Sequence, residues 1–253
     1  MWRNKVCKPL GLVVVGAMLL VSGAANAALL TFFGEDLGLG ELTALSSFPN
    51  ATAAEADFLS NLSSGVGTED FEGFTAGATS STLPDLIFPV SSGSIMATLS
   101  GSGFVANVAP GTTNGAGRYA TSGSQYWDTS GSFSIAFSSP VSAFGFFGID
   151  IGDFNGQVTV TTTTASGVST PFNIGNATEV AGGGVLFWGI IDPAASFTSI
   201  AFGNTASGTD FFGFDDMTIG DLQQVTVPEP GTLAIFVLGL AGLAFFMRRR
   251  RVA

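Results

Sequence analysis

Carboxylates are the chemistry-bearing side chains of this chain: it has nineteen Asp and Glu, no His and one Cys. The lack of histidine removes the commonest general base, the Ser-His-Asp triad and imidazole zinc sites. Cys7 precedes an apolar stretch near the N-terminus, so the chain that follows has no disulfide, thiol nucleophile or thiolate metal site. Glycoside hydrolysis needs only two acids flanking one bond. Nineteen acids supply many pairs and no recognisable motif, so a non-catalytic protein is expected. Four acids are singled out by position: Asp70 and Glu72 early in the chain, Asp215 and Asp216 far along it. A second group, Asp150-Ile151-Gly152-Asp153-Phe154-Asn155-Gly156, has acids, an Asn and glycines in one stretch. It lacks the EF-hand spacing, and Asn-Gly is the strongest short hairpin signal, so a hairpin turn is preferred there. Among aromatics, Tyr126 and Trp127 lie between Gln125 and Asp128, with Arg118 and Tyr119 close in sequence. This pair is the candidate stacking platform for a sugar, with core packing as the alternative. Trp188, in an apolar run, reads as core.

The elements that must position these groups are mostly strands. Phe133, Ile135 and Phe137 alternate with small polar residues, and Val158 and Val160 alternate with threonines, which is the period of a half-buried strand. Segments 141–151, 185–191, 197–202 and 211–219 are further strand-like runs. Gly and Pro punctuate them at sandwich or barrel intervals. The many phenylalanines supply core material that a disordered Ser/Thr/Gly stalk would lack. One helix is predicted over 51–62, with Asn50 as its N-cap.

Both chain ends read as targeting segments. Arg3, Lys5 and Lys8 precede the apolar run Leu10 to Val21, and Ala25-Asn26-Ala27 offers small residues to signal peptidase, so a Sec-type signal peptide spanning 1–27 is expected. At the other end, Val227-Pro228-Glu229-Pro230 is rigid and extended. Residues 231–247 are almost wholly apolar and of near-spanning length. Arg248, Arg249, Arg250 and Arg251 make a basic stop, with the tail ending at 253.

Charge sharpens once these ends are set aside. From Ala28 to Pro230 one arginine stands against nineteen acids, a net charge of −18. Nucleic acid is excluded as a partner, because phosphate binding needs a basic surface. Divalent cations and neutral glycans suit such a field.

The tail resembles the PEP-CTERM sorting signal of exopolysaccharide-producing Gram-negative bacteria. Pro228-Glu229-Pro230 matches the signature tripeptide, and the apolar helix and arginines follow it directly. The resemblance implies transient anchoring in the inner membrane, removal of the tail by an exosortase, and delivery to the cell surface or matrix, with exopolysaccharide as an associated partner. The middle, with Glu69-Asp70-Phe71-Glu72-Gly73-Phe74, Phe144-Gly145-Phe146-Phe147-Gly148-Ile149-Asp150 and Phe211-Phe212-Gly213-Phe214-Asp215-Asp216-Met217, resembles the β-sandwich ectodomain common among such proteins. It also resembles jelly-roll carbohydrate-binding modules, which implies a structural calcium ion between the first and last strands. If those strands are neighbours, Asp70, Glu72, Asp215 and Asp216 converge. Bare convergence is costly, and a calcium ion with six to eight oxygen ligands resolves it. Solvated strand-edge acids are the other reading.

The sequence therefore predicts an all-β chain: a jelly-roll-like antiparallel β-sandwich over 68–226, preceded by a segment 28–67 with a short helix. An immunoglobulin-like sandwich is the runner-up. The function expected is a non-catalytic exported surface or matrix protein. A calcium-dependent lectin-like module is the alternative, and a carboxylate glycosidase ranks below it.

Overall fold

The computed structural model describes residues 28–63, 65–91, 93–206 and 210–225. The signal-peptide site at Ala25 and Ala27 and the whole C-terminal tail from 227 lie outside these residues. Among the described residues no helix is long and apolar enough to cross a membrane.

The chain forms the expected antiparallel β-sandwich with one short helix. The elements are β1 (Leu30–Asp36), α1 (Pro49–Ser60), β2 (Gly67–Glu69), β3 (Leu86–Val90), β4 (Gly93–Gly101), β5 (Phe104–Asn107) and β6 (Gln125–Thr129). They continue with β7 (Phe133–Val141), β8 (Ala143–Ile149), β9 (Val158–Thr164), β10 (Ser169–Asn173), β11 (Val185–Ile191), β12 (Phe197–Asn204) and β13 (Phe212–Gly220). A seven-stranded sheet runs β1-β11-β8-β13-β6-β5, with β2 also on β13. A six-stranded sheet runs β10-β9-β12-β7-β4-β3.

Two cores explain the sequence patterns. Between the sheets lie Phe88, Ile135, Phe144, Phe146, Trp127, Phe202 and Phe214 among others. A second core lies between the seven-stranded sheet and α1, holding Ala51, Ala54 and Phe58 against Phe147, Ile149, Phe187 and Ile191. β8 and β11 are therefore buried on both faces, which is why they read as unbroken apolar runs. β7 and β9 face solvent on one side and keep their alternation.

Glycines let the helix approach. Gly145 and Gly189 are cross-strand partners, and a Cβ on either would press into the Phe58 ring at 3.1 Å or less. At Gly34 a Cβ would lie 2.1 Å from the Asn50 carbonyl oxygen.

Three expectations change. β1 pairs with β11 along its full length, so the segment 28–67 contributes a strand to the sandwich as well as a helix. Asn50 is not the N-cap: the helix begins at Pro49, and Phe48 in the capping position makes no side-chain cap bond. Asp36, at the end of β1, caps it from outside, accepting from the Asn50 amide at 3.3 Å and the Ala51 amide at 2.9 Å. The Asn155-Gly156 turn is not a hairpin. β8 belongs to one sheet and β9 to the other, so residues between them cross the sandwich.

Candidate functional site

The four singled-out carboxylates come together where β13 changes neighbours. On one edge β13 pairs with β6 from Phe212 to Phe214, then with β2 from Met217 to Ile219. Asp215 and Asp216 occupy the step between. The register against β8 shifts there, and Asp216 has φ 46, a left-handed conformation rare in residues with a side chain. β2, the first strand after α1, thus neighbours the last strand β13.

The seam between β2 and β6 is filled by the 119–124 loop, and the acids hold that loop. Asp215 is fully buried. Its Oδ2 accepts from the Thr121 amide at 2.8 Å, the Thr121 hydroxyl at 3.0 Å and the Ser122 amide at 3.3 Å. Asp216 contacts the Thr121 hydroxyl at 2.9 Å and accepts from the Ser122 hydroxyl at 2.8 Å. Glu72, just past β2, accepts from the amides of Ser124 and Gln125 at the entry to β6. Asp70 accepts from the Glu72 amide at 3.1 Å.

Electrostatics follow from this crowding. Burial pushes the Asp215 carboxyl well above the carboxylate range, with the Asp216 charge adding to it and the Asp216 and Thr121 amides opposing. Asp216 is raised by burial and by the charges of Asp70 and Glu72, against the hydroxyls of Ser122 and Thr121. Glu72 moves the other way: partial burial raises it, but the Ser124 and Gln125 amides outweigh that. Thr121 Oγ1 has one proton for two carboxylate partners.

Asp70, Glu72, Asp215 and Asp216, the acids expected to hold calcium, here accept hydrogen bonds from the protein itself. Among the described residues no group of three or more His, Cys, Asp or Glu is placed to hold a metal ion. The partners of Asp215, Asp216 and Glu72 are N–H and O–H groups of the 121–125 segment. The acids resolve their repulsion by gathering hydrogen-bond donors.

The sugar-platform expectation for Tyr126 and Trp127 also changes. Both are fully buried. Trp127 joins the inter-sheet core, with its ring stacked on Phe71 at 6.4 Å between centroids. Tyr126 lies within 3.5 Å of the Asp128 carboxylate through its hydroxyl. The polar neighbours that make the pair look like a surface site belong to an internal network. Arg118 Nε meets Asp128 at 3.0 Å and Nη1 meets Asp150 at 3.3 Å, and the guanidinium lies 5.0 Å from the Phe211 ring centre. Asp150, at φ 62, also accepts from the Gly183 amide at 2.7 Å. Burial pushes its carboxyl up to about 6, against that amide; the Asp153 and Asp210 charges add and Arg118 opposes.

What the acids position is a groove of about 810 Å³ on the helix side of the seven-stranded sheet. One wall is the 44–49 segment and α1, with Leu45, Phe48, Pro49, Thr52, Ala53 and Ala56. The other is Pro110, Gly111 and the loop carrying Thr121 and Ser122. The lining mixes apolar surface with the hydroxyls of Ser46, Ser47, Thr52, Thr121 and Ser122 and holds no charged side chain. Sequence reasoning missed these residues. Ser, Thr, Ala and Pro are spread throughout the chain, and no local pattern marks those that face one cleft.

The tail decides the destination. Residues 226–251 match the PEP-CTERM protein-sorting motif. The chain carries a PEP-CTERM sorting signal. That signal implies export, membrane anchoring, processing by an exosortase and delivery to the cell surface. No curated protein matches the chain. Among solved structures, the K2 cleaved adhesin domain of Lys-gingipain is 13% identical with a TM-score of 0.38, the match covering 61% of this chain and 97% of that one. The module TmCBM61, solved in complex with beta-1,4-galactotriose, is 14% identical with a TM-score of 0.27, covering 49% of this chain and 86% of that one.

Proposed function

We propose that this PEP-CTERM protein is a non-catalytic cell-surface or matrix component that associates with neutral exopolysaccharide through the groove beside α1. The observation that carries the reading is the lining. Apolar patches beside hydroxyl groups match a sugar ring, which has an apolar face and a polar edge. The groove is uncharged in a segment of net charge −18, which favours a neutral polymer over an anionic one. A hydrolase would need two free acids facing the cleft. Asp215 and Asp216, beside it, are committed to the loop that forms one of its walls.

The test is affinity electrophoresis of the mature protein through gels containing neutral or acidic polysaccharides. Neutral gels are expected to retard it. Ala56→Trp, which fills the groove from an exposed helix position, is expected to weaken binding at least about tenfold, a loss of about 1.4 kcal/mol. Unchanged retardation in that variant, or retardation by acidic polymers alone, overturns the reading.

A further inference from the structure

The six-stranded sheet has a property that the groove does not use. No Asp, Glu, Lys or Arg occurs in β3, β4, β7, β9, β10 or β12. The acids sit on the other sheet, on α1 and in loops. Asp85, at the sheet margin, accepts a 2.7 Å bond from the Thr98 hydroxyl.

Strand register sets out the outward rows. Across the sheet, Ser169 lies opposite Thr163, Thr163 opposite Ser199, Ser199 opposite Ala136, and Ala136 opposite Thr98. The next row runs Pro171, Thr161, Ala201, Ser134 and Ser100. At one margin Ile87 and Met96 are cross-strand partners, 61% and 49% exposed. Every outward residue in the two rows is small, and Ala136 and Ala201, on the two central strands, are exposed. α1 packs on β1, β11 and β8, leaving this face to solvent among the described residues.

We infer that this face is where two copies of the chain meet, sheet against sheet about a twofold axis. The argument is electrostatic first. Two bodies of charge −18 repel in most orientations. Sheets pack about 10 Å apart and the screening length is about 8 Å at physiological salt, so acids on the far sheet are screened from a copy approaching here. Small side chains then allow close approach, and serine and threonine hydroxyls donate to and accept from their counterparts. Six strands at about 4.8 Å, each offering about five residues, give a face of about 500 Å². A pair buries about 1,000 Å², the lower end for specific association, so the dimer is weak and concentration-dependent. An isologous contact places the central alanines near their own copies. The groove lies on the opposite side of the sandwich, so this inference stands apart from the glycan reading.

The test is sedimentation velocity of the mature protein over a rising concentration series. Reversible dimerisation is expected. Ala136→Asp with Ala201→Asp, which places like charges against each other at the axis, is expected to raise the dissociation constant at least about tenfold, whereas Thr178→Asp in an exposed loop leaves it unchanged. Circular dichroism checks that the variants fold. Should the double variant misfold, Ala201→Cys replaces it: the mature chain is free of cysteine, and oxidation is expected to give disulfide-linked dimers that Thr178→Cys does not give. A protein monomeric at every concentration overturns the inference. So does a dimer indifferent to both changes at Ala201, or a monomer that loses polysaccharide retardation when the face is charged, which would make the occupant a glycan.

Discussion

The Asp215 carboxylate and the Thr121 amide, 94 residues apart in sequence, are joined by a 2.8 Å hydrogen bond at the point where β13 exchanges β6 for β2. The bond ties the bulge of the closing strand to the loop that walls the groove. Removing either side should therefore be felt in both stability and binding.

Asp215→Ala leaves the Thr121 and Ser122 amides without their acceptor in a buried seam. The expected cost is about 2–3 kcal/mol, and a fall in Tm of about 5–10 °C by calorimetry. A Tm within error of wild type would mean that the loop is held by other contacts.

Chelation is the second measurement. The partners of Asp215, Asp216 and Glu72 are hydrogen-bond donors, so the seam is expected to stand without a cation. EDTA is expected to leave Tm within about 1 °C, and added calcium to have as little effect. A ligand bound by the native state alone would raise Tm with its concentration, and such a rise would show the acids leaving the loop for an ion.

Acidification should stabilise the fold. Asp150, Asp215, Asp216 and Glu55 are raised when folded, chiefly by burial, with Asp216 adding to Glu55. A group raised in the native state makes that state bind more protons than the unfolded chain, so stability grows as pH falls through the folded value. Asp150, at about 6, places its share of this gain between pH 6 and the unfolded value of 3.8. Glu72 is lowered and works in the opposite direction. Tm is expected to be higher at about pH 5 than at about pH 7.5; a monotonic rise toward alkaline pH would contradict it.

Gly34→Ala tests the seating of α1. The new Cβ would meet the Asn50 carbonyl at 2.1 Å, a backbone atom that moves only with the helix. A cost of about 2–3 kcal/mol is expected from displaced packing, together with weaker polysaccharide retardation, since α1 forms one groove wall. Stability lost without any change in binding would separate the helix from the groove.

The sandwich was legible because its signals are local. Phe133, Ile135 and Phe137 alternate, and threonines mark the outer side of β9. The neighbouring of β2 and β13 was also within reach, through the acids at the two ends. What escaped depends on partners distant in sequence. Asp36 caps a helix that begins thirteen residues later, so the nearer Asn50 looks like the cap. Tyr126 and Trp127 sit beside polar residues in sequence, but Asp128 is turned inward to Arg118 and the Gln125 amide to the Glu72 carbonyl. The two carboxylate pairs stand out in the sequence, but the donors of the 119–124 loop that they meet do not.

The lone arginine has a consequence for survival outside the cell. Residues 28–247 contain Arg118 and no lysine. A protease that cuts after basic residues finds one bond there, between Arg118 and Tyr119. The Arg118 side chain is 12% exposed and clamped by Asp128 and Asp150, and Tyr119 is buried. To be digested by such an enzyme the domain must first open, so its resistance to trypsin-like attack in a shared extracellular space rises and falls with its folding stability.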